Sequence, residues 1–304
     1  MGRDLPFPCC GGHMTKIRIK PVHLLFVLPA VLLNLIFFIY PLIRSLIMSF
    51  YNWPVLGEKT FIGLDNYIDL FKDKTYWSTL WFTLKYTLMV TPLIFIVAFG
   101  LALLINKRLP GIIFFRSVYF TPVVISMVSS SLVWLWIYND LYGLLNYYLL
   151  EWGLIQQPIV WMGDASTSLP AIVLMIAWKT SGFTMIILLA GLQSIPQDIY
   201  EAANVDGARR WQVLRYITLP LLRPSFALAL ILSVIGSVLA FEQFVIMTQG
   251  GPSNTTTTVV HLIYKTSFKY FHLGYGSVMT FVLLFILIIL SLIQMRILRN
   301  PVNY

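Results

Sequence analysis

The stretch Glu201-Ala202-Ala203-Asn204-Val205-Asp206-Gly207, followed by Ile217-Thr218-Leu219-Pro220, lies between two long apolar runs and carries Arg209, Arg210, Arg215 and Arg223. Its spacing predicts two short helices joined at a glycine. Ser194 and Gln197 stand at capping-box spacing, in which each side chain satisfies an orphan N–H. Pro196 suits an early helical position, and Asp198 and Glu201 suit the positive end of the helix dipole. Gly207 supplies the left-handed residue that ends a helix and reverses the chain. A second helix is expected from about Ala208 to Leu219, with Trp211, Leu214 and Ile217 on one face and Pro220 as its stop. Ala202 and Ala203 are small enough to let another surface approach the backbone.

The composition places this segment in a membrane protein. Apolar residues make up 58% of 304 and charged residues 11%, where soluble domains carry roughly 25% charged. Mean hydropathy is +0.80. A net charge of +9 needs no nucleic acid, because cytoplasmic loops of membrane proteins are rich in Lys and Arg. Cys9 and Cys10 are adjacent in a leader, 1–13, that reads as a tag or cloning junction ending in Gly11-Gly12-His13. The native chain is expected to start at Met14, with no cleavable signal peptide.

About 20 apolar residues cross a bilayer, and six runs reach that length: about 23–50, 79–106, 112–138, 169–193, 225–247 and 275–297. Pro29 and Pro41 are positioned to kink the first. The expected layout is a cytoplasmic N-terminus (14–22), a six-span domain (23–298) holding the loop 194–224, and a cytoplasmic tail (299–304). Orientation follows from the basic residues. The N-terminus, the turn around Lys107-Arg108-Leu109, the 194–224 loop and the C-terminus hold twelve Lys or Arg; the opposite segments hold seven, diluted by seven carboxylates. Both termini and the arginine-rich loop are therefore expected on the cytoplasmic side.

The pattern Glu-Ala-Ala, three residues, Gly, nine residues, Ile-x-Leu-Pro resembles the EAA loop of ABC importer permeases, and this chain matches it at every position. Phe61-Ile62-Gly63-Leu64-Asp65-Asn66-Tyr67, then Asn139, Gly143 and Asn146, then Gly250-Gly251-Pro252 resemble the carbohydrate class, which includes the maltose and glycerol-3-phosphate permeases. The likeness covers nearly all of 20–298 and is to the short six-helix form. It implies an all-α integral membrane protein with the type I importer fold and a cytoplasmic coupling helix. Glu201, Ala202, Ala203, Asp206, Gly207, Ile217, Leu219 and Pro220 would then engage an ATPase. The implied partners are a second homologous permease, two ATP-binding cassette subunits and an external substrate-binding protein, in a bacterial cytoplasmic membrane. ATP and magnesium would belong to the ATPase subunits, and this chain would bind no cofactor.

No catalytic or metal chemistry is legible. There is no Gly-x-x-x-x-Gly-Lys-Ser/Thr phosphate loop, and His13, His23, His261 and His272 are too scattered for a metal site. Polarity inside the spans does stand out: Lys179-Thr180-Ser181, Glu242-Gln243, and Ser126 with Ser129, Ser130 and Ser131. Intramembrane charge is costly and points to function, whereas serines there usually serve helix packing. Trp134, Trp136 and Tyr138 read as an interfacial belt. Lys179 and Phe183 share a helical face, as do Gly236, Ala240 and Gln243. Matched to the maltose-type permease, these positions, with Thr180 and Glu242, fall on or near stretches that contact its sugar. Two readings of Lys179 stay open: pairing with Glu242, or facing a water-filled path to meet a sugar hydroxyl, carboxylate or phosphate. The alternative function is an ion-coupled carrier or channel using Lys179 and Glu242.

Overall fold

The computed structural model describes residues 21–106, 110–251 and 254–298. The leader, the N-terminal segment up to Lys20, the Lys107-Arg108-Leu109 turn, Pro252-Ser253 and the tail from Arg299 lie outside the described residues. The chain divides into two compact units, one ending at Ile47 and one starting at Met48.

The first unit holds α1 (Pro21–Asn34) and the start of α2 (Tyr40–Ser49), joined by a π-helical turn at Leu35–Ile39. Pro29 lies within α1 without ending it. Before Pro41 the winding loosens, and the Tyr40 N–H reaches back five residues to the Leu35 carbonyl. A proline cannot donate and crowds the preceding turn, and a wider turn upstream accommodates it. Phe26 to Ser49 averages a hydropathy of 2.4, and its residues are exposed on every side as far as Ile43. An apolar helix exposed all round suits lipid.

The second unit opens on a small hairpin, β1 (Tyr51–Asn52) with β2 (Thr60–Phe61), paired Tyr51 to Phe61 and Asn52 to Thr60. Helix α3 (Asp65–Lys72) is tied to it by the buried Asn66, whose amide donates to the Ser49 and Tyr51 carbonyls at 3.0 Å each. Asp73 then caps α4 (Lys74–Ile105), accepting from the Thr75 N–H at 2.8 Å. Next come α5 (Ile112–Val124), α6 (Met127–Ile137), α7 (Leu144–Glu151) and the 30-residue α8 (Ala165–Ser194). The arginine-rich segment contains α9 (Gln197–Val205), α10 (Arg210–Val213), a π turn at Leu214–Thr218 and α11 (Leu219–Leu221). It leads into α12 (Arg223–Val238), α13 (Glu242–Met247), α14 (Val259–Tyr264) and α15 (Leu273–Leu298).

α4 and α8 pack along each other and supply most of the core. One cluster joins Tyr86, Val90 and Ile94 to Ile172, Met175 and Phe244. A second joins Ala98 and Ala102 to Met185, Leu188 and Leu222. A third sets Leu70 and Tyr76 against Val278, Met279 and Leu283 of α15. Where α15 meets β1, Gly274 is required, since a Cβ there would lie 2.1 Å from the Tyr51 carbonyl oxygen.

Four local expectations are corrected. The third span is not one helix: α5 and α6 meet at Ile125-Ser126 with a bend of 96°. Among the described residues five helical stretches are long and apolar enough to cross a membrane, and six if this bent pair is counted as one span. The Ser194 capping box does not form, because the Ser194 hydroxyl donates to Gly191 within α8 and Pro196 is the residue before α9. Pro220 does not stop the second helix; the π turn before it absorbs the missing donor, with the Leu219 N–H bonded to the Leu214 carbonyl. The aromatic belt divides too. Trp136 is exposed, but Tyr138 is buried with its hydroxyl on the Ala171 carbonyl at 2.9 Å, and Trp134 packs on Tyr138 and Trp178.

Candidate functional site

A cavity of about 210 Å³ lies where α4, α6, α8, α12 and α13 converge. α8 contributes Ile176, Thr180, Phe183 and Thr184, while α4 adds Tyr86 and Ile94. Facing them are Met127, Leu232, Ser233, Gly236, Ser237 and Gln243. The wall is mixed. The Thr180 and Ser237 hydroxyls donate to carbonyls one turn back, at 2.7 Å each, which leaves their oxygens free to accept. Gln243 donates to the Tyr86 hydroxyl at 3.4 Å, holding an amide and a phenol side by side. Phe183 presents a half-exposed ring. A Cβ on Gly236 would meet no atom within 4 Å, so this glycine leaves its share of the space open.

Of the residues singled out from sequence, Thr180, Phe183, Gly236 and Gln243 share this cavity. Ala240 is buried beside it, and its carbonyl accepts from Thr258 at 2.8 Å across the break between α12 and α13. Glu242 is exposed at the start of α13. Lys179 is buried, and its ammonium donates to the Pro122 carbonyl at 3.1 Å and to the Ile125 carbonyl. It does not line the cavity, and the Glu242 carboxylate acts on it through space rather than as its hydrogen-bond partner. Sequence reasoning missed Tyr86, Thr184 and Ser237. Their alternation with bulky apolar residues gave no sign of which side faces the gap.

A second, more polar cleft of about 470 Å³ lies at the Lys74 end of α4, lined by Thr75, Ser78, Phe82, Asn254, Lys265 and Tyr270 among others. Phe244 is fully buried and lies edge-on to both Phe82 and Tyr86, at 5.6 and 5.0 Å between ring centres. These rings separate the two spaces. Lys265 donates to the Asn254 side chain at 3.0 Å, and burial, with Lys269 nearby, holds it below the usual lysine range. His261 is buried, and its Nδ1 has no hydrogen-bond partner among the described residues. Burial, then the Lys265 and Lys269 charges, push it down to about 4.

At the other end of α8, the Glu-Ala-Ala segment forms α9. Ala203 is buried, and Ile199 and Tyr200 pack on the Leu188–Leu222 core, so this face holds the helix to its own chain. The Tyr200 hydroxyl lies 3.3 Å from that of Thr218, linking α9 to the π turn. Gly207 has φ +72°, with the Ala208 N–H bonded to the Ala203 carbonyl and the Gly207 N–H to that of Asn204. This is the glycine-ended close of a helix. Glu201, Ala202, Val205 and Asp206 face outward, as do Trp211 and Tyr216, with Val205 88% exposed. Only Ala202 of the alanine pair is therefore open to another surface. Ile217, Leu219 and Pro220 are half-buried.

Residues 22–301 match the family model described as "Binding-protein-dependent transport system inner membrane component". The trehalose/maltose transport system permease protein of Thermococcus litoralis is 35% identical over 275 residues, covering 88% of this chain and 91% of that protein. The lactose transport system permease protein of Rhizobium radiobacter is 33% identical, covering 89% and 91%. The sulfoquinovosyl glycerol transport system permease protein of Agrobacterium fabrum is 34% identical, covering 90% and 88%. Among solved structures, a bacterial ABC transporter that imports the acidic polysaccharide alginate superposes with a TM-score of 0.81 over 93% of this chain and 96% of its own, at 23% identity. That likeness shows a shared fold.

Proposed function

The chain belongs to the family of binding-protein-dependent transport system inner membrane components, and from that membership we propose that it forms half of the path of an ATP-driven importer for a sugar or oligosaccharide. The observation that carries the reading is the α4–α8–α12 cavity, where an aromatic ring, hydroxyl oxygens and an amide line one space. An apolar pocket with a few placed polar groups suits a small ligand, and the sugar-transporting relatives support a saccharide. The wall from this chain holds no charged side chain, so any charge on the sugar would be met by the second permease. From Thr184, α8 runs on to Ser194, about 15 Å of helix, and connects this cavity to α9. Movement of α9 is thereby transmitted to the sugar path.

In this reading the outward face of α9 seats on a separate ATPase subunit, two of which bind ATP and magnesium, and this chain takes no cofactor of its own. A second homologous permease completes the path, and an external binding protein delivers the sugar. The membrane is the bacterial cytoplasmic membrane, with α9 and both termini on the cytoplasmic side. The ion-coupled alternative finds no support in Lys179, whose charge is spent on backbone carbonyls.

Gly236→Leu tests the cavity, because its side chain would enter open space. In the complex reconstituted with its ATPases and binding protein, uptake of maltose, trehalose and lactose is measured in parallel. Whichever sugar the wild type transports should be taken up at least about tenfold more slowly by the variant, as expected for losing ~1.4 kcal/mol or more of binding, with assembly unchanged. Unchanged uptake would move the sugar elsewhere.

A further inference from the structure

The chain must solve a problem in its third span. Non-helical backbone at membrane depth persists only where protein or water satisfies its polar groups. Between α5 and α6, Ile125 (φ −66°, ψ 138°) and Ser126 (φ −54°, ψ 145°) are extended. In an unbroken helix the Pro122 carbonyl would accept from residue 126 and the Ile125 carbonyl from residue 129. The break removes both partners. Lys179, at the middle of α8 and 6% exposed, places its ammonium on those two carbonyls. A cation there also complements the negative end of the α5 dipole. One turn on, Gly182 lets the helices close: a Cβ would lie 2.3 Å from the Tyr119 carbonyl oxygen.

We propose that Lys179 is a positioning residue that holds the third span broken, and so sets one wall of the sugar cavity. Met127, the first residue of α6, and Thr180 and Phe183, the residues that follow Lys179 and Gly182, all line that cavity. The lysine acts through the bend and makes no contact with the sugar. The inference holds for any saccharide and does not rest on which sugar is carried.

The test measures the bend itself. Nitroxide labels are placed at Ile113→Cys and Trp136→Cys, both well exposed, in the intact complex with Cys9→Ser and Cys10→Ser. A straight helix would separate these positions by about 34 Å; the bend brings them nearer. Wild type and Lys179→Arg, which keeps its donors, should give the same short, narrow distance distribution by pulsed electron resonance. Lys179→Met should shift it to longer distances and broaden it. An unshifted distribution in Lys179→Met overturns the proposal. If Lys179→Met does not accumulate in the membrane, Lys179→Arg decides: recovery with the wild-type distance supports the clamp, and loss of both variants overturns it.

Discussion

Gly207 shows how much of the proposed coupling segment depends on one backbone angle. Its φ of +72° lies where a side chain is strained, yet nothing crowds the position, with no atom within 4 Å of a Cβ built there. The cost of Gly207→Val therefore comes from the backbone alone, about 1–2 kcal/mol. A cost of that size will not unfold a membrane domain, but it can redirect α10 relative to α9. Gly207→Val should insert and assemble normally while losing most substrate-stimulated ATP hydrolysis, and Gly207→Asn, which tolerates the left-handed region, should retain more. Equal activity in all three proteins would show that the turn does not aim the segment. His261 makes a different residue-scale case. Its folded value, about 4, lies below the ordinary 6.5, so between those values the unfolded chain takes up a proton that the folded chain refuses. Stability from this group is complete above pH 6.5 and is lost as pH falls towards 4. Thermal melting of the purified protein should drop more steeply from pH 6.5 to 5 in wild type than in His261→Gln. Parallel curves would mean that the imidazole is not held neutral.

At the scale of the element, the long helices were legible because lipid requires about 20 apolar residues in a row, and that count survives any tertiary arrangement. Their interruptions were not legible, for a physical reason. A break is permitted by a donor that arrives from elsewhere in the fold: Lys179 is 54 residues from Ile125, and Thr258 is 18 from Ala240. Pro122 in α5 is no stronger a signal than Pro29, Pro92 or Pro170, each of which stays inside its helix. Pro220 misled in the opposite sense, since a π turn just upstream lets the helical path continue. The same local reading succeeded where the partner was local. Gly207 closing α9 depends only on residues within five positions. The cavity was half legible on these terms. Helical spacing placed Phe183 with Lys179, and Gly236 with Ala240 and Gln243, but could not show that the lysine turns away to the Pro122 and Ile125 carbonyls while its neighbour Thr180 lines the cavity.

For the whole molecule, orientation is the property on which the mechanism depends, because ATP is available on one side only. The charge count puts α9 with the basic segments, and in the proposed function the exposed Glu201, Val205 and Trp211 meet the ATPase on the side where it has nucleotide. The segment between α7 and α8 should then face outward. Gln156 lies there and is exposed, as is Asn204 on α9. With Cys9 and Cys10 replaced by serine, Gln156→Cys should react with an impermeant maleimide added to intact cells. Asn204→Cys should react only after the membrane is opened. α8 connects the two sites in a single crossing, so their labelling must be opposite. Labelling of both from outside would mean that α8 does not cross, and the lever from cavity to coupling helix would be lost. Labelling of Asn204→Cys alone would turn the molecule over and leave α9 facing a side without ATP, where no ATPase could drive it.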